Sequence, residues 1–198
     1  MNRLKIIQKL IDINNAKSYL EIGVNKGHVI NNIQVDYKIG VDPDNSSKAT
    51  IFTTSDDFFI NNKEKFDIIF IDGLHHAEQV EKDIINSLLV LNDGGYVICH
   101  DMLPTNKETQ MVPRMQFNWT GDCWKAWVKL RSYRSDLKMF VVDADYGCGI
   151  VQYGKQELIN ISNKELSYEN FLENKFEWMN IIDIETFKKL VKQRNIFI

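Results

Sequence analysis

The sequence predicts an α/β fold built on a mostly parallel sheet with helices on both faces. Two observations carry this. From Ser18 onward, short apolar runs alternate with stretches of helical periodicity, the pattern of repeated strand and helix units. The runs are also continuously apolar, as in Phe66-Asp67-Ile68-Ile69-Phe70-Ile71, and a strand needs that character when helices cover both of its faces.

Leu4, Ile7 and Ile11, widened by Ile6, Leu10 and Ile13, place an apolar stripe at helical spacing over residues 2–14, which reads as a helix covering the sheet. Buried strands follow at 19–22, 38–41, 49–52, 67–71 and 96–99. Between the last two, Val80, Ile84, Leu88 and Leu91 repeat on one face from 77 to 91, until Asn92-Asp93-Gly94-Gly95 stops the helix. Residues 101–120 form an irregular stretch with Pro104, Pro113, Arg114, Phe117 and Trp119, of the length of a functional lid. Gly121-Asp122 is placed to cap a helix to about 134 that carries Trp124, Trp127, Val128 and Arg131. Two more strands, 139–142 and 149–153, are joined by so short a segment that they must be antiparallel, because a parallel crossover needs about a dozen residues. Residues 155–198 read as one or two helices, with Phe171, Phe176, Trp178, Ile181, Ile182, Phe187 and Leu190 for packing.

A chain of 198 residues without an internal repeat or linker is expected to be one domain, 1–198. A net charge of −3 provides no basic footprint, so nucleic acid is not an expected partner. Cys99, Cys123 and Cys148 have no close pairing, which fits neither a disulfide framework nor a zinc site and points to a reducing, cytoplasmic setting. Lys5, Lys9 and Asp12 interrupt the first apolar stretch, and no run of about 20 apolar residues occurs, so neither secretion nor a membrane span is expected.

The chemistry concentrates at the ends of the expected strands. Tyr19-Leu20-Glu21-Ile22-Gly23-Val24-Asn25-Lys26-Gly27 is a strand that runs into a glycine turn opening a helix. Glycines there let the backbone approach a ligand, and the first helix amides receive its polar groups. Gly40-Val41-Asp42 ends the second strand on a carboxylate, suited to accept hydrogen bonds from both hydroxyls of a ribose.

The turn has the form Glu-x-Gly-x-x-x-Gly, without the third glycine of the dinucleotide fingerprint. In this it resembles the first motif of the class I S-adenosylmethionine (SAM)-dependent methyltransferases. The resemblance extends through Gly40-Val41-Asp42, Thr54-Ser55-Asp56, the run 66–73 and Leu91-Asn92-Asp93-Gly94-Gly95-Tyr96-Val97, and so spans about 18–153. Asp72-Gly73-Leu74-His75 and His100-Asp101 are most similar to the small O-methyltransferase-like branch. The resemblance implies a Rossmann-like seven-stranded sheet ordered 3-2-1-4-5-7-6, strand 7 antiparallel. It implies SAM as cofactor, with Glu21, Gly23 and Gly27 on its methionine and ribose side, Asp42 on the ribose, Ser55 and Asp56 at the adenine edge, and Asp72 lining the same site.

The carboxyl ends of the later strands then gather Asp72, His75, His100, Asp101, Asp143 and Asp145 on one rim, where open α/β sheets bind ligands. Methyl transfer to a hydroxyl is assisted by a base, and His100 or His75, with Asp101, is the candidate. The catechol-type relatives suggest a second route, a divalent metal ion on Asp72, His100 and Asp101, although a histidine departs from their oxygen ligands. Arg114, Trp119 and Trp124 are placed to clamp an acceptor, expected to be a small hydroxylated molecule such as a sugar; Trp127 reads as helix packing. The alternatives are a nicotinamide-dependent oxidoreductase, which shares the glycine turn and the strand-end acid, and a cofactor-binding protein without catalysis.

Overall fold

The computed structural model describes residues 1–162 and 164–193. The chain runs α1 (Arg3–Asn14), β1 (Ser18–Ile22), β2 (Tyr37–Val41), α2 (Ser55–Asn61), β3 (Phe66–Ile71), α3 (Ala77–Leu89), β4 (Leu91–Cys99), a 3-10 turn at Glu108–Gln110, α4 (Cys123–Tyr133), β5 (Leu137–Val142), β6 (Cys148–Tyr153), α5 (Tyr168–Met179), β7 (Ile181–Ile182) and α6 (Ile184–Lys192). One seven-stranded sheet has the order β2-β1-β3-β4-β6-β5-β7. Its neighbours are parallel except that β6 runs antiparallel to both β4 and β5. This is the Rossmann-like methyltransferase arrangement, and the antiparallel hairpin follows from the short 143–147 connection as expected.

Alternation along the strands divides the core into two layers. Leu20, Ile22, Ile69, Ile71, Val97 and Cys99 face α3, α4 and α5. Tyr19, Ile68, Phe70, Tyr96 and Ile98 face α1 and α6, where Ile6, Ile7, Leu10 and Phe187 cover them. Both faces are sealed, which is why the strands are apolar throughout. Asn2, Thr54, Ser167 and Asp183 cap α1, α2, α5 and α6 through their side-chain oxygens.

Three local expectations are corrected. The strand at 49–52 shrinks to one bridge, Val41 to Ile51. Pro43 ends the donor row of the neighbouring edge, and Thr54 caps α2 at once. The sheet instead gains β7 at its other edge, from the segment read as purely helical. No helix forms directly after the glycine turn. Asn25 and Gly27 both take left-handed backbones (φ 48 and 73), and the chain proceeds to residue 33 in successive turns tied by Asn31 N–H to Gly27 O and Ile33 N–H to Val29 O. Third, Asp122 does not cap α4 with its side chain. Its carboxylate accepts from the Ala77 amide at 2.8 Å and so caps α3 from across the fold, where His76 provides no side-chain cap.

The expected extension 155–198 is present as α5, β7 and α6, with Asn163 and residues 194–198 outside the described residues. Among the described residues, no helix is long and apolar enough to cross a membrane. Cys99, Cys123 and Cys148 are all buried and unpaired.

Candidate active site

The alternation that builds the core also aims the polar side chains. Glu21 follows Tyr19 at a two-residue step, Asp72 follows Ile68 and Phe70, and His100 follows Tyr96 and Ile98, so all three lie on the α1 side of the sheet. Asp101 then takes a left-handed backbone, φ 61, a conformation that costs a residue other than glycine roughly 1–3 kcal/mol and persists where the surroundings impose it. The turn brings Asp101 Oδ1 to 3.2 Å from His100 Nδ1 and Oδ2 to 3.4 Å from His75 Nδ1. Asp72 Oδ1 lies 3.3 Å from His100 Nδ1 and 3.5 Å from His75 Nε2. The 143–147 turn adds Asp145, also left-handed (φ 51).

Arg3, unexpected from sequence, closes the cluster from the start of α1. Its backbone N–H donates to Asp145 Oδ2 at 2.9 Å, Nε lies 3.7 Å from Asp72 Oδ2, and Nη1 lies 2.6 Å from His100 Nε2. The same Nη1 lies 3.3 Å from His100 Nδ1, so the guanidinium sits against the ring between its two nitrogens, while Nδ1 also faces Asp101 and Asp72 and Nε2 faces Asp145 Oδ2 at 3.8 Å. Burial lowers the His100 pKa, while the charge of Asp72 and hydrogen bonds to Asp101 and Asp145 outweigh it and favour a second ring proton. Asp72 is itself buried, which would raise its pKa, yet His100, His75 and Arg3 hold it well below the usual carboxylate range.

His75 is differently placed. Its Nδ1 lies 3.2 Å from the Trp119 carbonyl, which only accepts, so Nδ1 carries a proton, and Nε2 faces Asp72 Oδ1 at 3.5 Å. The Trp119 indole stacks on the imidazole with centroids 5.3 Å apart. Gly121 supports it from behind: φ is 58, and a Cβ there would lie 1.8 Å from the His75 carbonyl oxygen. Burial lowers the pKa of His75, but Asp72 and Asp101 reverse that, and the net direction is up.

Two cavities meet at this cluster. One, of about 550 Å³, is lined by Gly23, Asp42, Ser55, Asp56, Gly73, Leu74 and Gln79 among others. The second, of about 460 Å³, is lined by Arg3, Glu21, Lys26, His75, His100, Asp101, Arg114, Phe117, Trp119 and Tyr146 among others. Gly23, Asn25 and Asp72 belong to both. Gly23 permits the contact between its turn and the one after β3, since with φ 86 a Cβ would lie 2.3 Å from the Asp72 carbonyl oxygen. Asp42 is held by the amides of Asn25 and Asp44 at 2.8 and 2.9 Å. Gln79 Nε2 lies within hydrogen-bond distance of Ser55 Oγ, Asp56 Oδ1 and Asp83 Oδ1, which fixes the first turn of α2 against α3. Glu21 is 2 % exposed. Burial pushes its pKa up to about 8, against the hydrogen bond from Tyr19 Oη at 2.6 Å.

Gly23, Asp42, Ser55, Asp56, Asp72, Glu21, His75, His100 and Asp101 thus converge, whereas Gly27 does not. It shapes the turn against Asn31 and Lys48 and borders neither cavity. Arg114 and Trp119 reach the second cavity, but Trp124 is fully buried and stacks on Trp178 and Phe171, a packing role like that of Trp127. Asp143 lies outside both cavities. Arg3, Asn25, Gln79 and Tyr146 were not read from sequence. Gln79 alone had a visible signal, its i,i+4 pairing with Asp83.

The larger cavity suits an adenosyl cofactor, with a carboxylate at the end of β2 for hydroxyls, a backbone crossing free of side chains at Gly23, and polar groups from Ser55 to Gln79. A divalent ion is less well served. Asp72, His75 and Asp101 each bring a ligand atom within 4.8 Å of the others, but an imidazole is not the oxygen ligand that magnesium prefers, and a guanidinium already lies on Asp72. Arg3 Nη1 also lies against the His100 ring, 2.6 Å from Nε2 and 3.3 Å from Nδ1. The residues present do not fit a second cation in this arrangement, and no chemical step below passes through one.

The fold is the one class I methyltransferases share. Residues 39–102 match the family model described as a methyltransferase domain, in agreement with the resemblance read from the motifs. Among solved structures, a Staphylococcus aureus protein described as a caffeoyl-CoA O-methyltransferase superposes with a TM-score of 0.58 at 19% identity, over 78% of this chain and 85% of that one. The O-methyltransferase TomG of Streptomyces achromogenes, in complex with SAM, gives 0.55 at 14% identity, over 76% and 79%. The Bacillus cereus O-methyltransferase, in complex with SAH, gives 0.52 at 13%, over 75% and 78%. No curated protein matches the chain. The antiparallel β6 and the match over residues 39–102 count against the nicotinamide alternative.

Proposed function

We propose that this protein transfers the methyl group of SAM to a hydroxyl of a small molecule. The observation that carries the reading is the meeting of the two cavities at Gly23, Asn25 and Asp72, so that a cofactor in one presents its reactive end to an acceptor in the other. When bound, SAM supplies an electrophilic methyl on a sulfonium.

The side chains then divide the remaining work. Asp42 accepts from the ribose hydroxyls, and Ser55 and Asp56, braced by Gln79, border the base. Asp72 is kept anionic beside the crossing point, where negative charge favours a sulfonium. His75 is the better base of the two histidines, because Trp119 O and Asp101 hold a proton on Nδ1, Nε2 takes the proton of the acceptor hydroxyl, and Asp72 Oδ1, 3.5 Å from Nε2, stabilises the imidazolium so formed. His100, with its Nε2 engaged by Arg3, positions Asp101 and Asp72. Trp119 and Phe117 offer flat apolar faces and Arg114 a charged one, which suits a hydroxylated metabolite such as a sugar.

Calorimetric titration with S-adenosylhomocysteine (SAH) is expected to give saturable binding, and its absence would overturn the cofactor assignment. With acceptors screened for turnover, His75→Gln is expected to lower kcat by about 100-fold or more while SAH affinity holds. Full activity in that variant would remove His75 from the role of base.

A further inference from the structure

Asp72, Asp101 and Asp145 around His100 all have partners from within the chain; Asp72 and Asp101 share His75, and Asp72 and Asp145 share Arg3. Its guanidinium reaches Asp72 Oδ2, Asp145 Oδ2 and His100 Nε2. Asp72 also belongs, with His75 and Asp101, to a group of ligand atoms within 4.8 Å of one another, a carboxylate, imidazole and carboxylate set of the kind that binds divalent transition metals. The Arg3 side chain is held there from both ends. The Arg3 amide donates to the same Asp145 oxygen, and α1 begins at this residue with Asn2 as its cap, so the guanidinium is delivered by a helix anchored on the sheet.

We propose that Arg3 is the resident cation of this cluster and stands where a divalent ion would otherwise bind. The consequences are chemical. A guanidinium neutralises part of the charge of Asp72 and Asp145 and lies against both ring nitrogens of His100, in the space that an ion on these side chains would need. It also repels a second cation at ligand distance from Asp72, the residue that any metal site here must use. Arg3 is therefore a positioning residue. It sets the orientation of His100, and through it of Asp101, without needing to touch an acceptor.

The inference concerns the same site as the reading above, and it is tested on the protein alone, without SAM or acceptor, so the two fail separately. Mn²⁺ binding is followed by calorimetry and by the loss of the free-ion paramagnetic resonance signal. Wild type is expected to bind weakly. Arg3→Met, which keeps an apolar stem but removes the charge, is expected to bind about tenfold tighter or more, and Arg3→Lys to remain like wild type. Arg3→Gln replaces Arg3→Met if the latter fails to fold. Tight Mn²⁺ binding by wild type would overturn the proposal, as would no gain in the neutral variant, or an equal gain in Arg3→Lys.

Discussion

Glu21 makes the fold sensitive to pH in an unusual direction. Its carboxyl is 2 % exposed on the α1 face of β1, and burial raises its pKa from 4.5 to about 8. The folded chain therefore binds a proton that the unfolded chain releases. The stabilisation is complete below the unfolded pKa and is lost as pH rises from there through the folded value. A shift from 4.5 to about 8, at about 1.4 kcal/mol per unit, removes of order 3 kcal/mol between about pH 5 and pH 8, a large fraction of an ordinary domain's stability. Glu21→Gln keeps the shape and an oxygen to accept from Tyr19 Oη, but cannot ionise. Urea unfolding of both proteins across this range is expected to show wild type declining and the variant nearly flat, so that the variant becomes the more stable as pH rises. Parallel profiles for the two proteins would refute the assignment of a buried, protonated Glu21.

Three further predictions follow from the same geometry. Gly121→Ala sets a Cβ against the His75 carbonyl at a left-handed position, so it is expected to cost about 2 kcal/mol or more in thermal melts and to lower turnover more than SAH affinity. Arg131 is 8 % exposed and donates to the carbonyls of Glu177 and Trp178 at the end of α5. Arg131→Met leaves those acceptors unpaired, and unfolding experiments are expected to show a loss of about 1–3 kcal/mol. Burial raises the pKa of all three thiols, Cys99, Cys123 and Cys148, so a thiol reagent is expected to label none in the folded protein and all three in denaturant; rapid labelling without denaturant would contradict their burial.

The polar cluster explains why sequence reading reached some residues and missed others. Gly23, Asp42, Asp72, His100 and Asp101 follow directly on strands whose apolar runs are unmistakable, so their common rim could be read from the period of a strand. Gly27 and Trp124 have the right residue types in the right stretch, but the turn after β1 closes without a helix, and Trp124 faces the apolar layer shared with Trp178. Ile51 fell short of a strand because a run of apolar residues says nothing about whether the neighbouring edge still has donors to offer, and Pro43 removes one. Asp122 shows the same limit: the local pattern places it before α4, yet its carboxylate serves α3.

The sequence by itself determined the α/β class, the antiparallel hairpin, the motif chain from Glu21 to Asp101 and the family resemblance, because each depends on spacing within a few residues of the chain. Only the tertiary structure decided which carboxylates each histidine faces, which side chains border the second cavity, and that Arg3 reaches a cluster 69 to 142 positions away. Those outcomes depend on which strand lies beside which and where α1 starts along the sheet, and contacts between residues so distant in sequence leave no period for the sequence to display.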